Sequence, residues 1–173
     1  MTTIDTGEIE QFLTTMARQL EDYLVERGFG DPGIIGIHSG GVWIAQALHR
    51  ALALESPLGE LNIAFYRDDF SRIGMHPRVT PTNLPFEVEG RHIILVDDVL
   101  YTGRTIRAAM NEIFDYGRPA SIGLAVLIDR PDARELPIQA DVTGKSLHLQ
   151  PNEHVKLHGP EPLALEITTT NDG

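Results

Sequence analysis

The chain has 173 residues, 42% of them hydrophobic, which is enough for one domain with a buried core. Its formal charge is −11, with 14 Lys and Arg against 25 Asp and Glu, a balance that argues against non-specific adhesion to nucleic acid or to an anionic membrane. It has no cysteine, which excludes a disulfide framework and thiol chemistry.

The N-terminus is polar and lacks a basic-then-apolar leader pattern. No apolar run approaches membrane-spanning length, so a soluble cytoplasmic protein is expected. Residues 6–27 carry Ile9, Phe12, Leu13, Met16, Leu20, Tyr23 and Leu24 on one helical stripe. Asp5 or Thr6 can cap that helix and Gly28 can end it. Gly28, Gly30 and Gly33 have the spacing of a dinucleotide fingerprint. They follow a helix and precede a strand, the reverse of what that fingerprint requires, so the segment reads as a connecting loop.

Residues 34–38 form a short apolar strand. Ser39-Gly40-Gly41 follows, and then a helix over about 42–54. Such a turn serves either as a tight connection or as a backbone cradle for a phosphate. His38, a lone histidine at a strand end, reads as structural. Residues 61–66 form the next strand, closed by Arg67-Asp68-Asp69. From 70 to 90 there is little regular pattern, and a loop of that length inside one domain is often functional. The acids there read equally as solvated carboxylates.

Ile93-Ile94-Leu95-Val96 is a buried strand that ends on Asp97 and Asp98, and residues 106–116 form the helix beyond. The turn between them can offer the N–H groups of Thr102, Gly103, Arg104 and Thr105 to an anion, helped by two hydroxyls and a helix N-terminus. Gly103 permits close approach or positive φ. The two carboxylates would repel a phosphate and suit hydroxyls or a cation, so a phosphorylated sugar fits the whole set.

Residues 121–128 form another apolar strand, ending at Asp129-Arg130. Alternating helices and apolar strands indicate α/β architecture, a mostly parallel sheet with helices on both faces. Beyond Pro131 the pattern shortens to strands at 145–149, 154–157 and 163–168. His148, His154 and His158 lack metal-ligand spacing and read as surface residues.

The run from Ile93 to Thr105 resembles the phosphoribosyl-diphosphate (PRPP) motif of type I phosphoribosyltransferases: apolar strand, two acids, two apolar residues, one variable residue, then Thr-Gly-x-Thr. Val-Asp-Asp-Val-Leu-Tyr-Thr-Gly-Arg-Thr, Tyr66 to Asp69, and residues 124–144 further resemble the PyrR family, pyrimidine operon regulators that are also uracil phosphoribosyltransferases. The resemblance implies the type I phosphoribosyltransferase fold in one domain, an open mostly parallel sheet flanked by helices, with a lid over about 67–90 and a small hood over about 130–165. It implies conversion of uracil and PRPP to UMP and diphosphate with Mg2+, and UMP or UTP sensing in control of pyrimidine genes.

By the same resemblance, Asp97 and Asp98 hold the ribose hydroxyls or magnesium, and Thr102, Gly103, Arg104 and Thr105 hold the 5′-phosphate. Ser39, Gly40 and Gly41 form the pyrophosphate loop, Arg67, Asp68 and Asp69 belong to the lid, and Asp129, Arg130 and Val155 belong to the base hood. Gly40 departs from the arginine that many members carry. Tyr101 stands where purine-specific relatives often have Asp, which fits a pyrimidine; a role in the chemistry and packing against sugar or base both stay open. Arg18 and Arg134 match positions of a leader-RNA surface, but Thr15, Ala133 and Gln139 add no charge to it. Two alternatives follow: a nucleotide sensor with weak or no transferase activity, acting by RNA attenuation or a protein partner, and a transferase for another base. Family members are homodimers or homotetramers, and the same is expected here.

Overall fold

The structure is a computed structural model and describes residues 1–63 and 81–171. Five strands form one parallel sheet in the order β3-β2-β4-β5-β6: β2 (Gly33–Ile37), β3 (Gly59–Leu61), β4 (His92–Leu100), β5 (Ser121–Asp129) and β6 (Val142–Ser146). Three more make an antiparallel sheet in the order β1-β8-β7: β1 (Thr2–Ile4), β7 (Glu153–His158) and β8 (Ala164–Thr169). The described helices are α1 (Thr6–Arg27), α2 (Gly40–Leu52) and α3 (Arg104–Asp115).

Helix α1 forms where its stripe predicts. Asp5 caps it: the carboxylate accepts from the Glu8 N–H at 2.9 Å, and the Glu8 carboxylate accepts from the Asp5 N–H at 3.2 Å. Thr6 does not cap; its hydroxyl donates to the Leu163 carbonyl and ties the helix start to the antiparallel sheet. Gly28 ends the helix in the left-handed conformation, at φ 67°. The glycine-spaced segment beyond is the connecting loop expected.

Strands β2, β4 and β5 are buried on both faces, which explains their continuous apolar runs. Ile34, Ile94, Val96, Ala125 and Leu127 face α1 and α2; Ile35, Ile93, Leu95, Leu124 and Val126 belong to a second core with Ile106, Ala109 and Ile113 of α3. The outer edge of β6 is closed by a side chain. The Gln19 amide donates to the Thr143 carbonyl at 3.0 Å and accepts from the Thr143 N–H at 3.1 Å, occupying both backbone groups that another strand would pair with.

Three expectations are corrected. Strand β4 runs on through Asp97 and Asp98 to Leu100, because pairing with β5 continues to Leu100↔Asp129. Helix α2 begins at Gly40, so Gly40 and Gly41 form its first turn. The strand read at 145–149 is β6, three residues earlier, and it joins the parallel sheet through Val142↔Ala125. The strands read at 154–157 and 163–168 are β7 and β8, and the N-terminus adds a third strand beside β8, through Thr2↔Ile167 and Ile4↔Leu165. Backbone pairing recruits this short segment, and Ile4 also packs against the core.

Of the segment 67–90, expected to form a lid, only 81–90 lies within the described residues, and that part packs on the body. Asn83 exchanges backbone hydrogen bonds with Glu60 at 2.8 and 2.7 Å, Thr82 donates to Glu112, and Val88 is buried. Arg67, Asp68 and Asp69 lie outside the described residues. Among the described residues, no helix is long and apolar enough to cross a membrane.

Candidate active site

The strand order places a topological switch point between β2 and β4. From β2 the chain crosses through α2 toward β3; from β4 it crosses through α3 toward β5, on the other side. The turns leaving the two strands diverge and open a crevice beyond their carboxyl ends, where ligands bind in open α/β sheets. Register sets the levels: Gly36 lies opposite Val96, so the turn after β2 stands beside Asp97 and Asp98.

The approach is close. A Cβ built on Gly40 would meet the Asp98 carboxyl group, with Cγ at 2.7 Å. One built on Gly41 would meet the Val96 carbonyl oxygen at 2.6 Å and Asp97 Cα at 3.1 Å. Two glycines are therefore needed for the first turn of α2 to reach the acid pair. Ser39 precedes them as the exposed N-cap and makes no side-chain cap bond. The His38 ring stands 3.2 Å from the Glu60 carboxylate.

Asp97 is 4% exposed and Asp98 half-buried. Asp97 Oδ1 accepts from the Asp98 N–H, and Asp98 Oδ1 accepts from the Val99 N–H, both at 2.8 Å. These bonds fix both carboxylates on their own strand. Among the described residues, no cluster of three or more His, Cys, Asp or Glu could enclose a metal ion. The pair can contribute two carboxylates to a hydrated Mg2+ that also takes phosphate oxygens, the usual mode for that ion.

The turn after β4 carries the anion chemistry. Gly103 is the N-cap of α3 at φ 96°, the positive value that glycine permits. The Arg104 N–H donates to Thr102 Oγ1 at 3.2 Å. The N–H groups of Gly103, Thr105 and Ile106 have no acceptor among the described residues, as expected at a helix start. They can receive a phosphate.

At the far end, the Arg130 guanidinium lies 4.4 Å from the Tyr101 ring centroid. Arg130 is 6% exposed and its Nε lacks an acceptor among the described residues. Tyr101 is 41% exposed. Asp129 pairs with Arg134 at 2.6 Å, the two side chains being 15% and 17% exposed. Arg134, expected on an RNA-facing surface, is thus committed inward, while Arg18 is exposed on α1. Val155 lies on β7 opposite Ile167 and packs on the core.

Sequence reasoning assigned no role to Glu135, Leu136 and Ile138, although the structure lays them over the phosphate turn. The N–H groups of Glu135 and Leu136 both donate to the Thr102 carbonyl, and Leu136 and Ile138 come within 3.4 Å of a Cβ built on Gly103. No periodicity marks such a strap; its role exists only after the chain has folded back from β5.

The phosphoribosyl transferase domain family matches residues 5–162. The bifunctional protein PyrR of Nitrosococcus oceani is 60% identical over 161 residues, 92% of this chain and 90% of that protein. The bifunctional protein PyrR of Pseudomonas syringae pv. tomato is 58% identical over 157 residues, 91% of this chain and 92% of that protein. Among solved structures, a hypoxanthine phosphoribosyltransferase of Trypanosoma cruzi superposes with TM-score 0.66 at 24% identity, over 87% of this chain and 78% of that one. One from Staphylococcus aureus gives 0.65 at 19%, over 90% and 87%. The two solved structures establish the shared fold. With the motif intact at the switch point and relatives this similar along nearly the whole length, the chain belongs to the PyrR family of type I phosphoribosyltransferases.

Proposed function

We propose that this chain is a uracil phosphoribosyltransferase, converting uracil and PRPP to UMP and diphosphate, and that the same site senses UMP or UTP in control of pyrimidine biosynthesis genes. One observation carries the reading: a carboxylate pair lies between a glycine-only helix start and an anion-accepting turn, in a chain of this family. The spacing suits one ligand with a phosphate at one end, a diol in the middle and a diphosphate beside it.

In the reaction, the C1–O bond to diphosphate breaks and its electron pair leaves with the diphosphate. The uracil nitrogen forms the new bond to C1 and gives up its proton. Positive charge develops on the ribose ring, facing Asp97 and Asp98, whose fixed carboxylates favour it electrostatically. The amides of Gly103, Thr105 and Ile106 hold the 5′-phosphate, and the α2 start faces the diphosphate. Tyr101 packs at the base end, its ring against the Arg130 guanidinium. Asp97 and Asp98 would hold Mg2+ bound with PRPP, which would supply charge neutralisation for the leaving diphosphate.

The alternative is a nucleotide sensor with weak transferase activity, and Gly40 favours it. The Asp98 carboxyl fills the space where a side chain at position 40 would begin, so the loop has no cation of its own at that point. The inward commitment of Arg134 weighs against leader RNA as the partner of such a sensor. Assembly as a homodimer or homotetramer belongs to the same reading and rests on the family.

The test is incorporation of radiolabelled uracil into UMP with PRPP and Mg2+, in wild type and Asp98→Asn. Asn keeps the Val99 acceptor and removes the charge. Conversion should fall about a hundredfold or more in the variant. Absence of conversion by folded wild type would reject the transferase and leave the sensor.

A further inference from the structure

Three successive carbonyls of the phosphate turn are turned away from the anion side, each taken by a donor from the protein. The Tyr101 carbonyl accepts from Arg134 Nη1 at 2.5 Å. The Thr102 carbonyl accepts from the Glu135 and Leu136 N–H groups at 2.9 and 3.1 Å. The Gly103 carbonyl accepts from the Arg107 N–H at 3.0 Å. A carbonyl facing a phosphate would repel it, so holding these three outward is what leaves N–H groups on the ligand side.

Arg134 is the member of the strap that reaches furthest. Its Nη2 donates to Asp129 Oδ1 at 2.6 Å while Nη1 holds the turn. One planar fork thus spans the end of β5, beside Arg130, and the turn after β4. Lysine, a point charge without that geometry, cannot make both bonds in the same way. The neighbouring Arg104–Glu135 pair is 65% and 52% exposed, and such surface pairs contribute little.

We propose that Arg134 is a positioning residue: it fixes the carbonyls of the phosphate turn outward and couples the base end of the site to the phosphate end. The proposal rests on the phosphoribosyl reading of the site. It assigns to the interior an arginine whose sequence position suggested an RNA surface.

The test compares 15N-labelled wild type, Arg134→Gln and Arg134→Lys. Amide exchange at Glu135 and Leu136 is measured without ligand, and UMP affinity by titration. In Arg134→Gln, exchange at both amides should quicken about tenfold and the Kd for UMP should rise about tenfold, the worth of one charge-assisted hydrogen bond. Arg134→Lys should fall between the two. A purely structural role would lower Tm and leave the UMP Kd of the folded protein unchanged, which would overturn the proposal. So would wild-type exchange at both amides in folded Arg134→Gln. If wild type does not bind UMP, the phosphoribosyl reading fails on its own account, and the ligand-free exchange still decides what Arg134 does to the turn.

Discussion

Replacing Gly41 by alanine separates the two effects of the glycine turn, on stability and on the site. The new Cβ would lie 2.6 Å from the Val96 carbonyl oxygen, where ordinary contact begins at 3.4 Å, so the first turn of α2 must retreat by about 0.8 Å. The obstacle is backbone of a central strand and cannot rotate aside. Overpacking of this kind costs roughly 1–3 kcal/mol. Alanine returns up to about 1 kcal/mol through better helix propensity, which leaves a net loss of about 0–3 kcal/mol. The retreat carries the loop away from Asp97 and Asp98. Displacement of about that size costs up to about a hundredfold in rate. Urea denaturation should therefore show a modest loss, while kcat/KM for PRPP falls ten- to a hundredfold. Gly40→Ala meets a side chain that can swing away, but swinging breaks the bond from the Val99 N–H to Asp98. It should cost less stability than Gly41→Ala and comparable activity. Gly41→Ala with wild-type stability and kcat/KM within twofold of wild type would refute the close-approach argument.

Gln19→Ala removes both hydrogen bonds to Thr143 and uncovers the β6 edge. It should lower unfolding free energy by about 1–2 kcal/mol in chemical denaturation without changing kcat of the folded protein. Tyr23 gives a pH signature. Burial, and then the Asp141 charge, push its phenol above the ordinary value of 10.0, partly opposed by Arg27. The folded state then holds the proton more tightly than the unfolded chain. Its contribution is complete below about pH 10 and is lost as pH rises from there through the folded value. Tyr23→Phe should flatten that alkaline decline in a series of melts; an unchanged slope would remove Tyr23 as its source.

The sequence by itself determined what is local. Apolar runs buried on both faces announce central parallel strands, Asp5 or Thr6 and Gly28 mark the bounds of α1, and Asp97 to Thr105 carries its chemistry within one strand, one turn and one helix start. Tertiary structure decided what depends on register and crossover. Pairing of β2 with β4 brings Gly40 and Gly41 to the acid pair from a stretch more than fifty residues away. Pairing with β5 carries β4 two residues past the acids, and pairing with β8 turns a polar N-terminus into a strand. Arg134 shows the limit most sharply. Its charge and position suit a surface equally well, and only the return of the chain over Tyr101 and Thr102 puts the guanidinium between a carbonyl and a carboxylate. Hydrophobic period and turn chemistry encode the conformation of a segment, whereas its partners across the sheet are fixed by which long-range pairings bury the most surface while satisfying the backbone.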